Sequence, residues 1–155
     1  MKPESKNSSS LSLGVEDLRA GGQKSKTSYI SAHGNRKQAV ARIRLFKGKG
    51  ETVVNEKPIE TYFPQEVDKI VWQKPFLVTK SQGQYYATIK VSGSGKRSQL
   101  DAIALGISRA LVMQEESFRP ILRKAGLLTR DSRKKERRKY GRAQKARKGK
   151  QSPKR

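Results

Sequence analysis

Apolar and polar residues alternate along residues 37–46, a pattern typical of a β-strand with one buried face. The polar face of this predicted strand carries Arg42 and Arg44. Two glycines within the next four residues predict a turn, after which residues 51–54 return as a second strand. We therefore expect the folded part of the chain to begin with a meander.

Two prolines divide the next stretch into a helix and a hairpin. Pro64 suits the first turn of a helix, and the apolar residues after it recur at helical spacing until Pro75, which should end the helix. Residues 76–79 and 84–91 are then expected to form two strands joined by a turn at Gly83. With the first strands, they would form a mixed or antiparallel sheet.

The strongest helical periodicity lies in residues 99–113, where apolar side chains recur at i, i+3, i+4, i+7 and i+11. Ser98 and Asp101 stand three residues apart and resemble a capping box at the start of this helix. Its other faces carry few polar residues, so we expect it to pack closely against the sheet. A shorter helix is predicted over residues 118–124, with Gly126 as its C-terminal cap.

The charge of the chain indicates its class of partner. Of 155 residues, 36 are Lys or Arg and 13 are Asp or Glu, which gives a formal net charge of +23 at pH 7. Such a surface favours a polyanion, and nucleic acid is the common one. The chain has no cysteine and a single histidine, His33, which excludes thiolate zinc sites, cysteine nucleophiles and two-histidine metal sites. We expect no metal, no cofactor and no enzymatic activity.

The distribution of this charge divides the chain into three regions. Residues 1–26 have a net charge of +2 and six serines, the composition of a flexible N-terminal arm. Residues 27–128 have a net charge of +9 and contain nearly all the apolar residues, so they are expected to form one globular domain. Residues 129–155 have a net charge of +12 and only one large apolar side chain, so they are expected to form an extended, disordered basic tail.

A glycine-rich run is a candidate phosphate site. Gly93, Ser94 and Gly95 precede the long helix, and its N-terminal N–H groups would face an anion there. Lys96 and Arg97 add positive charge at the same place. The spacing does not match a Walker A motif, so nucleotide hydrolysis is not supported. The alternative interpretation is a tight turn between strand and helix.

Basic residues elsewhere are further candidates for RNA contacts. On the first predicted strand, Arg42 and Arg44 agree in sign with Arg36 and Lys37 nearby, although ordinary solvated charges are the alternative. In the tail, the high density of Lys and Arg residues predicts phosphate contacts or, alternatively, a nuclear localisation signal. The tail candidates are Arg130, Arg133, Lys134, Lys135, Arg137, Arg138, Lys139, Arg142, Lys145, Arg147, Lys148 and Lys150. For the whole chain, composition alone also allows a histone-like basic DNA-binding protein.

The string GSGKRSQLDAIALGISRAL at residues 93–111 closely resembles the signature of the bacterial-type small-subunit ribosomal protein nine family. The resemblance covers about residues 28–155. It includes Gly34-Asn35-Arg36-Lys37, Tyr62-Phe63-Pro64, Leu127-Leu128-Thr129-Arg130-Asp131, Lys139-Tyr140-Gly141 and the terminal Lys154-Arg155. The chain departs from the family at Ser94, where another glycine is usual. It also ends in Gln151-Ser152-Pro153-Lys154-Arg155, without the family's terminal aromatic residue.

This resemblance implies a fold and a place of action. The fold would be α+β: a single domain with a four- to five-stranded sheet, packed helices and a left-handed β-α-β crossover, similar to domain two of ribosomal protein S-five. The protein would be a structural constituent of the head of the small subunit in a cytoplasmic ribosome, with an organellar ribosome as the alternative. Its partners would be ribosomal RNA, neighbouring head proteins and peptidyl-site tRNA, with no homo-oligomer. Arg155, followed by Lys154, is the candidate for the tRNA contact.

Overall fold

The computed structural model describes residues 28–142 and 146–147, so the predicted N-terminal arm lies outside the described residues. The described part forms one α+β domain with five strands and four helices, which confirms the predicted fold class. Its elements are β1 (Ile30–Arg36), β2 (Ala39–Lys47), β3 (Val53–Val54), β4 (Lys57–Pro58), α1 (Ile59–Tyr62), α2 (Glu66–Val78), β5 (Tyr85–Ser92), α3 (Lys96–Gln114) and α4 (Phe118–Lys124).

The five strands form a mixed sheet in the order β1-β2-β5-β3-β4. The pairs β1/β2, β2/β5 and β3/β4 are antiparallel, whereas β3 and β5 are parallel. The chain between β3 and β5 passes through β4, α1 and α2, so the parallel pair belongs to a β-α-β unit. The left-handed sense of this crossover stays a prediction of the resemblance.

The core lies between one face of the sheet and the helices. In β2, Ala41, Ile43 and Leu45 are at most 2% exposed, as their alternation predicted, and β5 alternates in the same way. Helix α3 packs against β1 and β2, and α2 packs against α3. The side chains of β2 and β5 that point away from this core face solvent.

Two glycines allow α3 to lie directly on the sheet. A Cβ atom at Gly34 in β1 would be 2.0 Å from the carbonyl oxygen of Ala102, and one at Gly106 in α3 would be 2.5 Å from Cδ1 of Ile43. Neither position has room for a larger residue. The close approach also lets the Arg109 guanidinium donate a hydrogen bond to the carbonyl of His33 at 2.9 Å.

The predicted meander is wrong in its strand order. Residues 51–54 do not pair with β2; only Val53–Val54 forms a strand, which pairs with β4 and β5. The edge of β2 is occupied by β5, which pairs with it along eight residues. This longer antiparallel ladder offers more hydrogen bonds than a two-residue strand, and β1, which the sequence pattern did not predict, occupies the other edge.

The predicted helix stop at Pro75 and the strand over residues 76–79 are also wrong, because α2 continues to Val78. Proline removes one helical hydrogen bond, but Trp72, Pro75 and Phe76 are all buried on the inner face of the helix. Their packing outweighs the lost bond. The helix ends at a turn in which Lys80 has a φ of +54° and the Ser81 amide donates to the carbonyl of Phe76.

The bounds of the two later helices agree better with those predicted from the sequence. Helix α4 matches its predicted bounds, and Gly126 follows it with a φ of +74°. Helix α3 begins at Lys96, three residues earlier than predicted, and the capping box is wrong because the N-cap residue is Gly95 and Ser98 is buried in the first turn. Among the described helices, none is long and apolar enough to cross a membrane.

Candidate nucleic-acid interface

The face of the sheet opposite the helices, which we call the open face, carries a row of basic side chains. The strand register places His33 of β1, Arg42 of β2 and Lys90 of β5 side by side, and all three are exposed. Arg44 lies one row further along β2 on the same face, beside Ser31 and Thr88. Like charges directly opposite each other in a sheet are unfavourable, so the pairing of Arg42 with Lys90 favours an anionic partner. Both arginines were predicted contacts, whereas Lys90 was not.

An aromatic cluster, formed by Tyr29, Phe46 and Tyr86, ends the same face. The rings of Phe46 and Tyr86 are stacked with their centroids 5.0 Å apart, and the ring of Tyr29 lies 5.7 Å from that of Phe46. The Arg44 guanidinium carbon lies 5.0 Å from the centre of the Tyr29 ring. Sequence reasoning missed this cluster, although Phe46 and Tyr86 stand in the polar phase of their strands, which was the available signal.

The glycine-rich loop is a strained turn whose charges already have partners within the protein. Gly93 has a φ of +80°, and a Cβ atom there would be 2.4 Å from the carbonyl oxygen of Gln38. Ser94 has a φ of +54°, in the left-handed region where a residue with a Cβ atom is strained. The tight turn therefore accounts for Gly93, and phosphate binding by residues 93–97 stays a prediction.

The two cations that follow this loop are oriented toward α1 and α2. The ammonium of Lys96 lies 3.2 Å from the centre of the Tyr62 ring and donates to the Tyr62 carbonyl at 3.3 Å. Arg97 is 3.7 Å from the carboxylate of Asp68, although two thirds of its side chain is exposed. Arg97 is therefore the more accessible of the two for a second, anionic partner.

The first residues of the tail are held to the domain by an ion-pair network, which we call the tail root (Arg36, Asp101, Asp131 and Arg133). The Arg36 guanidinium lies 2.9 Å from Asp131 and 3.7 Å from Asp101, and it donates to the carbonyl of Arg133 at 2.9 Å. Only 14% of its side chain is exposed. Arg36, predicted to contact RNA, is thus placed beneath the tail and not on the open face.

Asp131 is the centre of the tail root. It accepts hydrogen bonds from the backbone N–H of Arg133 at 2.9 Å and from its guanidinium at 2.7 and 3.1 Å. These hydrogen bonds, together with the positive charges of Arg133 and Arg36, hold the pKa of Asp131 well below its usual range. The carboxylate is therefore ionised at physiological pH, and the contact is not sensitive to pH there.

Beyond the tail root, residues 134–139 form neither helix nor strand and their side chains are exposed. Lys134, Lys135, Arg137, Arg138 and Lys139 lie in this segment, and Glu136 pairs with Arg147. Lys37 and Arg130 are also exposed, as is Arg142. The predicted contacts Lys145, Lys148, Lys150, Lys154 and Arg155 lie outside the described residues.

A basic sheet face beside a dense run of Lys and Arg is typical of the class of nucleic-acid-binding proteins. The family model described as ribosomal protein S9/S16 matches residues 34–155. The chain therefore belongs to the ribosomal protein S9/S16 family, which confirms the resemblance.

Two bacterial relatives carry the name small ribosomal subunit protein uS9. The protein of Maridesulfovibrio salexigens is 48% identical over 110 residues, which cover 71% of this chain and 85% of the relative. That of Solidesulfovibrio magneticus is 47% identical over 108 residues, which cover 70% of this chain and 83% of the relative.

Proposed function

We propose that this chain is a structural component of the small subunit of a cytoplasmic ribosome. It binds ribosomal RNA with its domain and reaches peptidyl-site tRNA with its tail. It acts by positioning and electrostatics, as a monomer without a cofactor or catalysis. Neighbouring proteins of the subunit head are its further partners. Membership of the family and the names of its relatives support the assignment to the small ribosomal subunit. The net positive charge of the chain supports RNA as the partner.

The observation that carries the proposal is the tail root. The network of Arg36 and Asp131 fixes where the basic segment leaves the domain, at the end of β1. Beyond Arg133, 22 residues remain to Arg155, and they would span at most about 75 Å if fully extended. A tail with a fixed origin can deliver its last residues to one place on an assembled particle, whereas charge alone would bind RNA without a preferred position.

The ribosomal part of the proposal is tested by purification of the full chain from cells under increasing salt. We expect small-subunit RNA, and not DNA, to be recovered with the chain. Recovery of duplex DNA without ribosomal RNA would instead support a histone-like protein and would overturn the proposal.

The tail part is tested by removal of Lys154 and Arg155. Subunits with the shortened chain should assemble normally but bind peptidyl-site tRNA more weakly. If both residues contact phosphates, the slope of log K for tRNA binding against log salt should decrease in magnitude by roughly 1.5. A matched control is the double variant Lys2→Ala and Lys6→Ala, which removes two charges from the other end of the chain. Equal tRNA affinities for all three chains across the salt series would contradict the tail contact.

A further inference from the structure

The open face of the sheet combines two chemistries that one kind of ligand uses together. Arg42, Arg44 and Lys90 supply positive charge, and the aromatic cluster supplies ring surface. Residues in the same phase of a strand repeat about every 7 Å, so the Arg42 and Lys90 row lies about 14 Å from the pair of Phe46 and Tyr86. Both chemistries are therefore within reach of two or three consecutive nucleotides.

The cations on this face lack acidic partners within the domain. Among the described residues, no Asp or Glu oxygen lies within 4 Å of the charged groups of Arg42, Arg44 or Lys90. The outward positions of β1, β2 and β5 carry no acidic residue. The charge of this face thus favours an anion from outside, in contrast to Arg36 and Arg97, which have partners within the protein.

The aromatic cluster determines which form of RNA suits the face. Tyr29 is 45% exposed, and the Arg44 guanidinium lies over its ring. Aromatic rings and arginine planes bind nucleic acid by stacking on bases, which requires a base that is not enclosed between its neighbours in a duplex. An acidic protein surface would satisfy the cations but would leave the rings without a partner of matching chemistry.

We propose that the open face of β1, β2 and β5 binds an unpaired segment of ribosomal RNA, such as a loop, bulge or junction. One base stacks at Tyr29 and Arg44, and the adjacent phosphates contact Arg42 and Lys90. This inference rests on the proposed function, because it specifies the RNA structure that the domain recognises.

The test compares the full chain and its variants in titrations with two RNA probes of equal charge, an unstructured single strand and a perfectly paired duplex. Tyr29→Ala should weaken binding of the single strand about tenfold and leave binding of the duplex unchanged. Tyr29→Phe keeps the ring and should bind as the unaltered chain does. Lys134→Ala, which removes one charge from the tail, should affect both probes equally.

Chemical probing of unpaired bases in assembled subunits provides a second readout. A base protected by the unaltered chain should become reactive with Tyr29→Ala, while protections elsewhere persist. The inference is wrong if Tyr29→Ala changes neither the RNA affinities nor the base protection, or if it weakens binding of the single strand and of the duplex equally. In either case the chain would still be a ribosomal RNA-binding protein. If the unaltered chain protects no ribosomal RNA at all, the proposed function itself fails.

Discussion

Replacement of Gly34 by alanine should separate helix α3 from the sheet. The new Cβ atom would lie 2.0 Å from the carbonyl oxygen of Ala102 and 2.6 Å from the backbone nitrogen of Gly106. Ordinary contacts of this kind are no shorter than about 3.4 Å, so the helix and strand must move apart by more than 1 Å. Both obstacles are backbone atoms, so no side-chain rotation relieves the clash.

Overpacking of a core costs roughly 1–3 kcal/mol and occasionally more, and we expect Gly34→Ala to cost about 3 kcal/mol. For a domain of about 100 residues, this loss lowers the melting temperature by about 12–24 °C. The displacement would also disturb the tail root, because Arg36 follows in β1 and Asp101 lies in α3.

Urea unfolding followed by the fluorescence of Trp72, the only tryptophan, measures this loss. The matched control is Gly95→Ala, because Gly95 has a φ of −99° and a Cβ atom there would meet no heavy atom within 4 Å. The control should cost less than about 1 kcal/mol, chiefly through the weaker capping of α3. If the two variants unfold at the same urea concentration, the close approach of α3 to β1 is refuted.

Three further predictions concern single side chains. Ser94→Gly should raise the free energy of unfolding by about 1 kcal/mol in the same urea assay, because the residue has a φ of +54°; a loss of stability would contradict this strain. Asn55→Ala should lower the free energy of unfolding by about 1–3 kcal/mol, because the Asn55 amide both donates to and accepts from the backbone of Val91 at 2.9 Å. An unchanged urea midpoint would mean that these two hydrogen bonds contribute little to stability. The pKa of Asp131 is depressed, so its contact with Arg133 is present above the usual carboxyl pKa and is lost only when the pH falls through the lower, folded value. The amide resonance of Arg133 should therefore stay constant from pH 7 to about pH 4.5 and shift only in stronger acid, whereas a midpoint near pH 4 would show an ordinary carboxyl.

The elements that local periodicity determines were predicted correctly. The alternation in β2 and the helical spacing in α3 each reflect one face of the element packed against the core, and that pattern is visible in the sequence. The family signature at residues 93–111 also reflects packing. Within α3, Ala102, Gly106 and Ser108 are buried against the sheet or the helix itself, so the string specifies the fold of the domain more than its RNA contacts.

The errors arose where distant contacts decide the structure. Strand β1 consists largely of small and polar residues, and it forms because Gly34 allows α3 to lie against it. Helix α2 continues past Pro75 because its apolar face is buried. The aromatic cluster joins Tyr29, Phe46 and Tyr86 from three separate parts of the chain. The strand phase of Phe46 and Tyr86 marks them as outward-facing, but only the pairing of β2 with β5 brings them together. Likewise, the sequence could not show that Arg36 is engaged by Asp131.

Whether the tail reaches the tRNA is measured by crosslinking on translating ribosomes that carry this chain with a photoreactive residue at position 155 or at position 42. We expect position 155 to crosslink to tRNA when the peptidyl site is occupied, and position 42 to crosslink to small-subunit ribosomal RNA whether or not tRNA is present. Crosslinks from position 155 to ribosomal RNA alone, unchanged by occupancy of the peptidyl site, would contradict a tail that reaches the tRNA.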